Sequence, residues 1–238
     1  MHFHLPKPLH GWRAFAGEVG IIVFGVLIAL GAEQVVGSVH QATQARDGRE
    51  AVRRELEFNL ARLSSRADIR SCVDRRLADI QALLDGVGES GAIKTPAWIG
   101  RPQLWTMQTA RWDASSRAGE AALLSRGELG AYGLMYGWMA DLGTEMGTEQ
   151  TDWAHLRELE HLRRLTPQAV IDLNAVVQDA RYRAWRVNLE TGQLLDQARV
   201  LHLARLKNDF PASRSVCLPM STPRQIAVGQ SAFTVGEP

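Results

Sequence analysis

A glycine-rich stretch between two predicted helices is the first place where this sequence could bind a ligand. It reads Gly86-Val-Gly-Glu-Ser-Gly-Ala-Ile-Lys-Thr95. A phosphate-binding loop needs Gly-Lys-Ser/Thr directly before a helix, because its backbone N–H groups and its lysine must surround the phosphates. Here two residues separate Gly91 from Lys94, and a helical pattern precedes the loop. The stretch therefore predicts a helix end and a turn, without a nucleotide site.

A second candidate is His155-x-x-Glu158-x-x-His161, three side chains of types that bind zinc. Zinc sites on helices normally place two histidines four residues apart, so that they lie one above the other. The spacing of three spreads these side chains around the helix, and charged residues surround them. We expect a solvated helix here, and the sequence predicts no metal or other cofactor.

No pattern in the sequence indicates an enzyme. A Gly-x-Ser-x-Gly elbow is absent, and the acidic residues are scattered along predicted helix faces. The 27 Lys+Arg residues balance the 26 Asp+Glu residues, so no overall field attracts nucleic acid. We expect a non-enzymatic protein that binds neither nucleic acid nor a small molecule.

The stretch Arg181-Tyr-Arg-Ala-Trp-Arg186 combines basic and aromatic side chains. Such a patch suits anionic lipid, a glycan or an acidic partner. The alternative, which we favour, is one face of a long helix whose arginines pair with Asp179 and Glu190.

The two cysteines, Cys72 and Cys217, lie far apart in the sequence. In an exported domain two such cysteines most naturally form one disulfide, whereas in a reducing compartment they would be inert core residues. Neither belongs to a C-x-x-C pair, so redox catalysis and zinc binding are not expected.

An apolar segment near the N-terminus is long enough to be considered as a membrane anchor for the rest of the chain. The fourteen residues from Val19 to Ala32 carry no charge, but they cover only about 21 Å of a hydrocarbon core of about 30 Å. The longer segment Phe15–Val36 has 22 residues and covers about 33 Å. The sequence therefore predicts a transmembrane helix over residues 15–36, after a tail over residues 1–14.

Both ends of this segment carry side chains that suit a membrane interface. Glu18 and Glu33 lie near opposite interfaces, where a carboxylate costs less than at the bilayer centre. Trp12 and Arg13 suit the interfacial belt at the first end. A cleaved signal peptide and a buried helix of a soluble protein stay open as alternatives.

Small residues within the same segment suggest a helix-contact face. Gly25 and Ala29 lie four residues apart, a spacing that lets another membrane helix approach closely. Glycine and alanine are also common in membrane helices in general. The spacing therefore has two interpretations, a specific contact face or the ordinary composition of such a helix.

Two stretches of the chain resemble a group of bacterial membrane-anchored proteins of uncharacterised function. The first runs from Trp12 to Gln34 and shares their Phe-x-Gly-Glu, a Gly-Val-Leu-Ile-Ala-Leu run and a polar pair. The second begins at Trp112, passes a leucine pair and ends in Tyr132 and Tyr136. The resemblance implies a single-pass protein of the bacterial inner membrane and brings no catalytic residues.

The short basic tail before the apolar segment bears on orientation. Such a tail is typical of an anchor whose N-terminus stays inside, whereas the arginines beyond the span mildly favour the opposite. Long domains, however, translocate largely regardless of charge. We expect a cytoplasmic N-terminus and a periplasmic main domain.

Beyond the anchor, apolar residues recur at helical spacing. The first stripe runs from Val52 to Leu84 with a phase slip around Ile69. A helical region is predicted from about residue 103 into the Trp112 stretch, and a short helix over residues 151–165. Between them, Leu129, Tyr132, Met135, Tyr136, Met139, Leu142 and Met146 trace an apolar face.

The clearest helix start is Thr166-Pro167, since proline lacks only an N–H that would be unpaired there anyway. An unbroken seam follows at alternating steps of three and four residues. It consists of Val170, Leu173, Val177, Ala180, Ala184, Val187, Thr191, Leu194, Ala198 and Leu201. Two long seams predict an all-α antiparallel bundle over residues 37–210, with a coiled-coil dimer as the alternative.

The last part of the chain, residues 211–238, is predicted to be an irregular tail. Gln225–Val235 is compatible with a short hairpin around Gly229-Gln230. A Cys72–Cys217 bond would attach this tail to the first long helix.

Together these patterns predict a membrane-tethered helical domain that acts by interaction, as a sensor, scaffold or envelope assembly factor. Its expected partners are the lipid bilayer and either a second copy of the chain or a membrane protein. The alternatives are a membrane-anchored enzyme with a dispersed active site and a single-pass subunit of a larger membrane complex.

Overall fold

The computed structural model describes residues 12–204 and 214–230 of the chain. These residues form six α-helices and three short 3-10 turns, and they contain no β-strand, so the predicted all-α class is confirmed. The α-helices are α1 (Trp12–Asp68), α2 (Arg70–Asp85), α3 (Ala110–Arg117), α4 (Arg126–Arg157), α5 (Pro167–Val200) and α6 (Arg224–Gln230). The chain divides into two compact units, Met1–Arg49 and Glu50–Pro238.

In the first unit, α1 exposes its apolar side chains. Trp12 is 79% exposed and Ile21 is 76% exposed. Among the described residues, α1 is the one helix that is long and apolar enough to cross a membrane. The predicted membrane segment, residues 15–36, lies within it.

In the second unit, the end of α1 runs parallel to α4. Glu55 of α1 contacts Tyr136 of α4, and further along the same two helices Arg66 contacts Glu149. The residues therefore pair in the same order along both helices. Parallel neighbours need a long connection, and residues 86–125 supply it.

The helix α5 runs antiparallel to α4, to α2 and to the end of α1. Its residues Arg183 and Arg186 pair with α4 in reverse order, with Asp152 and Glu145 respectively. Against the first two helices, Gln81 of α2 bonds to Asn174 near the start of α5, while Glu57 of α1 bonds to Ala204 just beyond its end. The predicted antiparallel bundle is therefore confirmed.

Residues 86–109 return along the bundle without forming a helix. Asn59 holds this segment through its amide, which accepts from the Gln108 N–H at 2.9 Å and donates to the Gln108 carbonyl at 2.7 Å. The helical region predicted from about residue 103 into the Trp112 stretch begins only at Ala110, as α3. It starts later because side chains of α1 bind the backbone groups of Thr106 and Gln108 that a helix would pair.

The start of α5 and its seam agree with the sequence. Thr166 accepts from the Ala169 N–H at 3.1 Å, and Pro167 occupies the first helical position. Eight of the predicted seam residues are buried: Leu173, Val177, Ala180, Ala184, Val187, Thr191, Leu194 and Ala198. The short helix predicted over residues 151–165 is wrong, since α4 continues to Arg157.

The end of the chain differs from the predicted hairpin. Residues up to Gln230 form α6, whose first turn is closed by hydrogen bonds from Ile226 and Ala227 to the Pro223 carbonyl. Ala227 is fully buried, so burial of one helical face replaces strand pairing. Residues 231–235 of the predicted hairpin lie outside the described residues.

Candidate interaction surface

The helix α5 carries apolar residues on a second, outward face. Tyr182 is 57% exposed, Trp185 is 56% exposed and Leu189 is 45% exposed. These residues follow one another at steps of three and four, which places them side by side on one face of the helix. We call Tyr182, Trp185 and Leu189 the outer stripe.

The outer stripe borders a surface hollow. The rings of Tyr182 and Trp185 lie 5.8 Å apart at an angle of 32°. Next to them, Gly192 leaves open space where a side chain would stand. The hollow is lined by Trp185, Leu189, Gly192, Arg70, Asn188, Gln193 and Asp196. Its lining thus combines two apolar side chains with four polar or charged ones.

Two arginines beside the stripe, Arg183 and Arg186, are paired with carboxylates. Arg183 donates to Asp152 at 2.8 Å, while Arg186 donates to Glu145 at 2.7 Å and to Glu190 at 2.8 Å. The predicted partner Glu190 is thus present, and α4 supplies two further carboxylates. The charges of Arg183 and Arg186, two of the three arginines in the predicted basic and aromatic stretch, are therefore neutralised.

Glu55 organises the stretch around Trp112. Its carboxylate accepts from the Arg111 N–H at 2.8 Å, the Trp112 N–H at 3.2 Å and the Tyr136 hydroxyl at 2.7 Å. The rings of Trp112 and Tyr136 stack at 5.0 Å. Burial, together with the Glu55 carboxylate, raises the pKa of the Tyr136 hydroxyl. This centre holds the start of α3 against α1 and α4.

Glu55 was not predicted as a special residue, because a glutamate in a charged helix normally faces water. The signal available in the sequence was Tyr136 on the predicted apolar face, since a buried tyrosine hydroxyl requires an acceptor.

Arg66 and Glu149 form a second buried centre. Their side chains are 0% and 1% exposed, and they lie 2.7 Å apart. Burial raises the pKa of the Glu149 carboxyl, and the charge of Arg66 acts in the opposite direction. The sequence instead favours Ala67 as the core residue at this turn, but Ala67 is exposed.

The tail is attached to α2 by a third centre, which includes the predicted disulfide. Cys72 and Cys217 are bonded, with their Cα atoms 4.7 Å apart. Nearby, the buried guanidinium of Arg76 donates to the carbonyl oxygens of Trp98, Ile99 and Leu218. Burial lowers the pKa of Arg76. The C-terminal tail and residues 86–109, which we call the extended segment, are therefore both joined to α2.

Glu160 completes this third centre. It accepts from the Ile99 N–H at 2.8 Å and from Arg224 of α6 at 3.1 Å. Trp98 donates from its indole nitrogen to the Ser215 carbonyl at 2.8 Å. Glu160 also lies 3.6 Å from Arg157, three residues before it. The partners that join Glu160 to the extended segment and to α6, Ile99 and Arg224, are more than 60 residues away, so its buried role could not be identified from its neighbours in the sequence.

The rejected ligand sites have ordinary surroundings. His155 lies 3.5 Å from Glu158, and both side chains are exposed. The described part of the chain contains no group of three His, Cys, Asp or Glu residues that could hold a metal ion. In the glycine-rich stretch, Gly91 has a φ of 66°, and a Cβ there would lie 2.3 Å from the Leu165 carbonyl oxygen. Glycine is thus required for a turn packed against the chain.

The predicted membrane residues all lie on α1. Trp12 is exposed and its ring lies 6.2 Å from that of Phe15, and Arg13 occupies the first turn of the helix. Glu18 and Glu33 are exposed and stand on either side of the uncharged run.

The predicted contact face of Gly25 and Ala29 is exposed, and nothing lies within 4 Å of a Cβ placed at Gly25. Both residues are thus accessible within the first unit.

The second unit therefore combines one exposed aromatic surface with three buried polar centres that join its helices. Comparison of the chain with protein-family models, with curated proteins and with solved structures finds no match to any of them.

Proposed function

We propose that this chain is a single-pass protein of the bacterial inner membrane, with a cytoplasmic N-terminus and a periplasmic helical domain. The domain acts by binding another protein, as a sensor, scaffold or assembly factor of the envelope. One observation carries the proposal: the outer stripe exposes two aromatic side chains and a leucine beside a hollow at Gly192.

The location is supported by α1 and by the disulfide. The apolar side chains between Glu18 and Glu33 are exposed, as a membrane span requires. The short tail with Lys7 is typical of an anchor whose N-terminus stays inside. The Cys72–Cys217 bond is typical of an oxidising compartment such as the periplasm.

The interaction role is supported by the composition of the outer stripe. Tyr and Trp are enriched at the centres of protein interfaces, where they supply large contact areas at low entropic cost. The paired Arg183 and Arg186 lie next to them and suit the polar rim of such a surface. Contiguous exposed apolar residues on a folded domain mark binding sites more often than isolated ones.

The buried acidic residues support a structural role over a catalytic one. Glu55 accepts three hydrogen bonds, Glu149 pairs with Arg66, and Glu160 binds a backbone N–H and an arginine. Each carboxylate therefore joins elements of the bundle, and each is turned towards the interior of the protein.

Co-purification of the full chain from native membranes in mild detergent tests the proposal. Wild type is compared with Trp185→Ala/Leu189→Ala, which alters the outer stripe, and with Gly25→Leu, which alters the anchor. We expect the stripe variant to lose a partner that the anchor variant retains. Loss only in Gly25→Leu would identify a membrane-complex subunit instead, and a wild-type monomer without partners would contradict the proposal.

A reporter fused after Pro238 tests the orientation. Alkaline phosphatase, which folds only in the periplasm, should be active, whereas green fluorescent protein should be dark. The reverse pattern would place the domain in the cytoplasm and overturn the proposed location.

A further inference from the structure

The outward face of α5 carries a second seam, of which the outer stripe is the middle part. Its residues follow one another at alternating steps of four and three, and they are Ile171, Ala175, Gln178, Tyr182, Trp185, Leu189 and Gly192. All are exposed except Gly192, which is half-buried. We call this set the outer seam. Such steps over three heptads are typical of a helix that packs along another helix.

The hollow beside the outer stripe has the residue spacing of a coiled-coil hole. Four of its lining residues are spaced i, i+3, i+4 and i+7 along α5, namely Trp185, Asn188, Leu189 and Gly192. Four residues at this spacing form the hole that receives one side chain of a facing helix. Nothing lies within 4 Å of a Cβ added at Gly192, so the glycine keeps the hole open.

The outer seam also presents a side chain that fits this hole. In a parallel, in-register pair of identical helices, the hole formed by residues 185, 188, 189 and 192 receives residue 189 of the other helix. That residue is Leu189, which is 45% exposed. The same face of α5 therefore carries both the hole and the leucine that would fill it, so it is complementary to itself.

The side of the outer seam that faces α4 is negative. It carries Asp172 and Asp179, both exposed. It also carries the ion-pair group in which Arg183 and Arg186 share three carboxylates, so that this group has a net charge of −1. All of these charges lie along one edge of the outer seam.

The opposite edge is positive, since it carries Arg181 between Asn174 and Asn188, at intervals of seven residues. In a parallel pair, the edge with Arg181 meets the negative edge of the other helix, so opposite charges face each other. In an antiparallel pair each edge would meet its own counterpart, and like charges would face each other. Charge therefore favours the parallel arrangement.

The position of Glu50, where the second unit begins, agrees with this choice. The end of α1 is parallel to α4 and antiparallel to α5. A parallel pair of α5 helices thus places Glu50 of both copies at the same end, as two chains anchored in one bilayer require. An antiparallel pair would place the two Glu50 residues at opposite ends.

We propose that the partner of the outer stripe is a second copy of this chain, bound as a parallel, two-fold symmetric pair of α5 helices. Leu189 of each copy enters the hollow at Gly192 of the other, and Tyr182 and Trp185 pack against their counterparts. This inference rests on the proposed function, because it names the protein that the outer stripe binds.

Cross-linking of the full chain in native membranes tests the pairing. Ile171→Cys places a free thiol at one end of the outer seam, and in a parallel pair the two thiols lie side by side. A short bismaleimide joins free thiols only, so the wild-type chain, whose two cysteines are bonded, is the blank. We expect a covalent dimer from Ile171→Cys and none from Ala154→Cys, at an exposed position of α4. No dimer from Ile171→Cys, or equal dimer from both variants, would overturn the proposal.

Filling the hole tests the contact itself. Gly192→Leu, added to Ile171→Cys, should lower the yield of dimer at least about fivefold, because its side chain takes the place of the incoming Leu189. Gly147→Leu on α4 is the matched control, since a Cβ at Gly147 also meets nothing within 4 Å, and it should leave the yield unchanged. A yield that ignores Gly192→Leu, or falls equally in both variants, would contradict the assignment.

A photo-activated benzoylphenylalanine at position 185 separates this inference from the proposed function. If Ile171→Cys gives no dimer while position 185 captures a different protein, the partner is not a second copy and the proposed function stands. If neither experiment gives a product, both are wrong. A dimer through both positions supports both.

Discussion

Arg66 of α1 donates a 2.7 Å hydrogen bond to Glu149 of α4 at the point where the two apolar clusters of the core meet. Leu63 and Ile69, on either side of Arg66, belong to different clusters. A buried ion pair is expensive to desolvate, but it penalises every packing that separates its partners. We infer that this pair fixes the register of α1 against α4.

A double-mutant cycle tests this inference. Arg66→Met and Glu149→Leu should each destabilise the fold by about 3–5 kcal/mol, because each leaves one charge buried without its partner. The double variant should recover most of that loss, as both polar groups are then replaced. Thermal unfolding followed by far-UV circular dichroism measures the effect. Additive losses in the double variant would show that the two residues act independently.

The Glu55 centre predicts a specific role for one hydroxyl. Tyr136→Phe removes one of the three donors to the buried carboxylate, so unfolding should require about 2 kcal/mol less. Tyr182→Phe, at an exposed position, should change the free energy of unfolding by less than about 0.5 kcal/mol. Equal stability of the two variants would mean that the hydrogen bond from Tyr136 to Glu55 does not contribute to the free energy of unfolding.

The disulfide should protect the contact between the tail and the extended segment. In Cys72→Ser/Cys217→Ser, stability should fall by about 2–4 kcal/mol. The amides of Ala97 and Trp98, which donate to the Met220 carbonyl, should exchange hydrogen faster.

The amide of Arg111, held by Glu55, is the internal control for that experiment and should keep its protection. If Ala97, Trp98 and Arg111 all lose protection equally, the disulfide supports the whole fold and not the tail contact.

If the N-terminal part of α1 is a membrane anchor, its removal should move the chain from the membrane fraction to the soluble fraction. The full chain should stay in the membrane pellet after carbonate extraction, because the apolar face of α1 then lies in lipid. A chain that begins at Gly37 should appear in the soluble fraction, with a helical signal reduced only by the deleted part of α1. Release of the full chain by carbonate would argue against a membrane span.

The long helices could be predicted from the sequence because their signals are local. Thr166-Pro167 and the seam behind it specify α5, and the phase slip near Ile69 marks the break between α1 and α2. The disulfide could be predicted from the cysteine count together with the expectation that the domain is exported.

The polar centres and the extended segment could not be predicted in the same way. Arg66, Arg76 and Glu160 look like surface charges until their distant partners are known, because burial of a charge is decided by tertiary pairing. The tail has apolar residues spaced as in a strand, yet hydrogen bonds to the Pro223 carbonyl begin a helix there.

The residue types of the outer stripe could be predicted from the sequence, but the exposure of its individual side chains could not. The basic and aromatic residues around Trp185 were recognised, but their sorting into paired arginines and exposed rings depends on Asp152 and Glu145 of α4. Leu189→Glu should therefore leave the melting temperature unchanged within about 2 °C, because this side chain is nearly half exposed. The same change should abolish partner binding in the co-purification, and a loss of folding would contradict the assignment to a surface.

Site-specific photo-cross-linking in living cells shows whether another protein binds the outer stripe. A benzoylphenylalanine at position 185 of the full chain reports what touches the outer stripe, and the same residue at Ala154, exposed on α4, is the control. The account predicts a discrete cross-linked product at 185, either with a second copy or with another protein, and none at 154. No product at 185, or equal products at both positions, would contradict it.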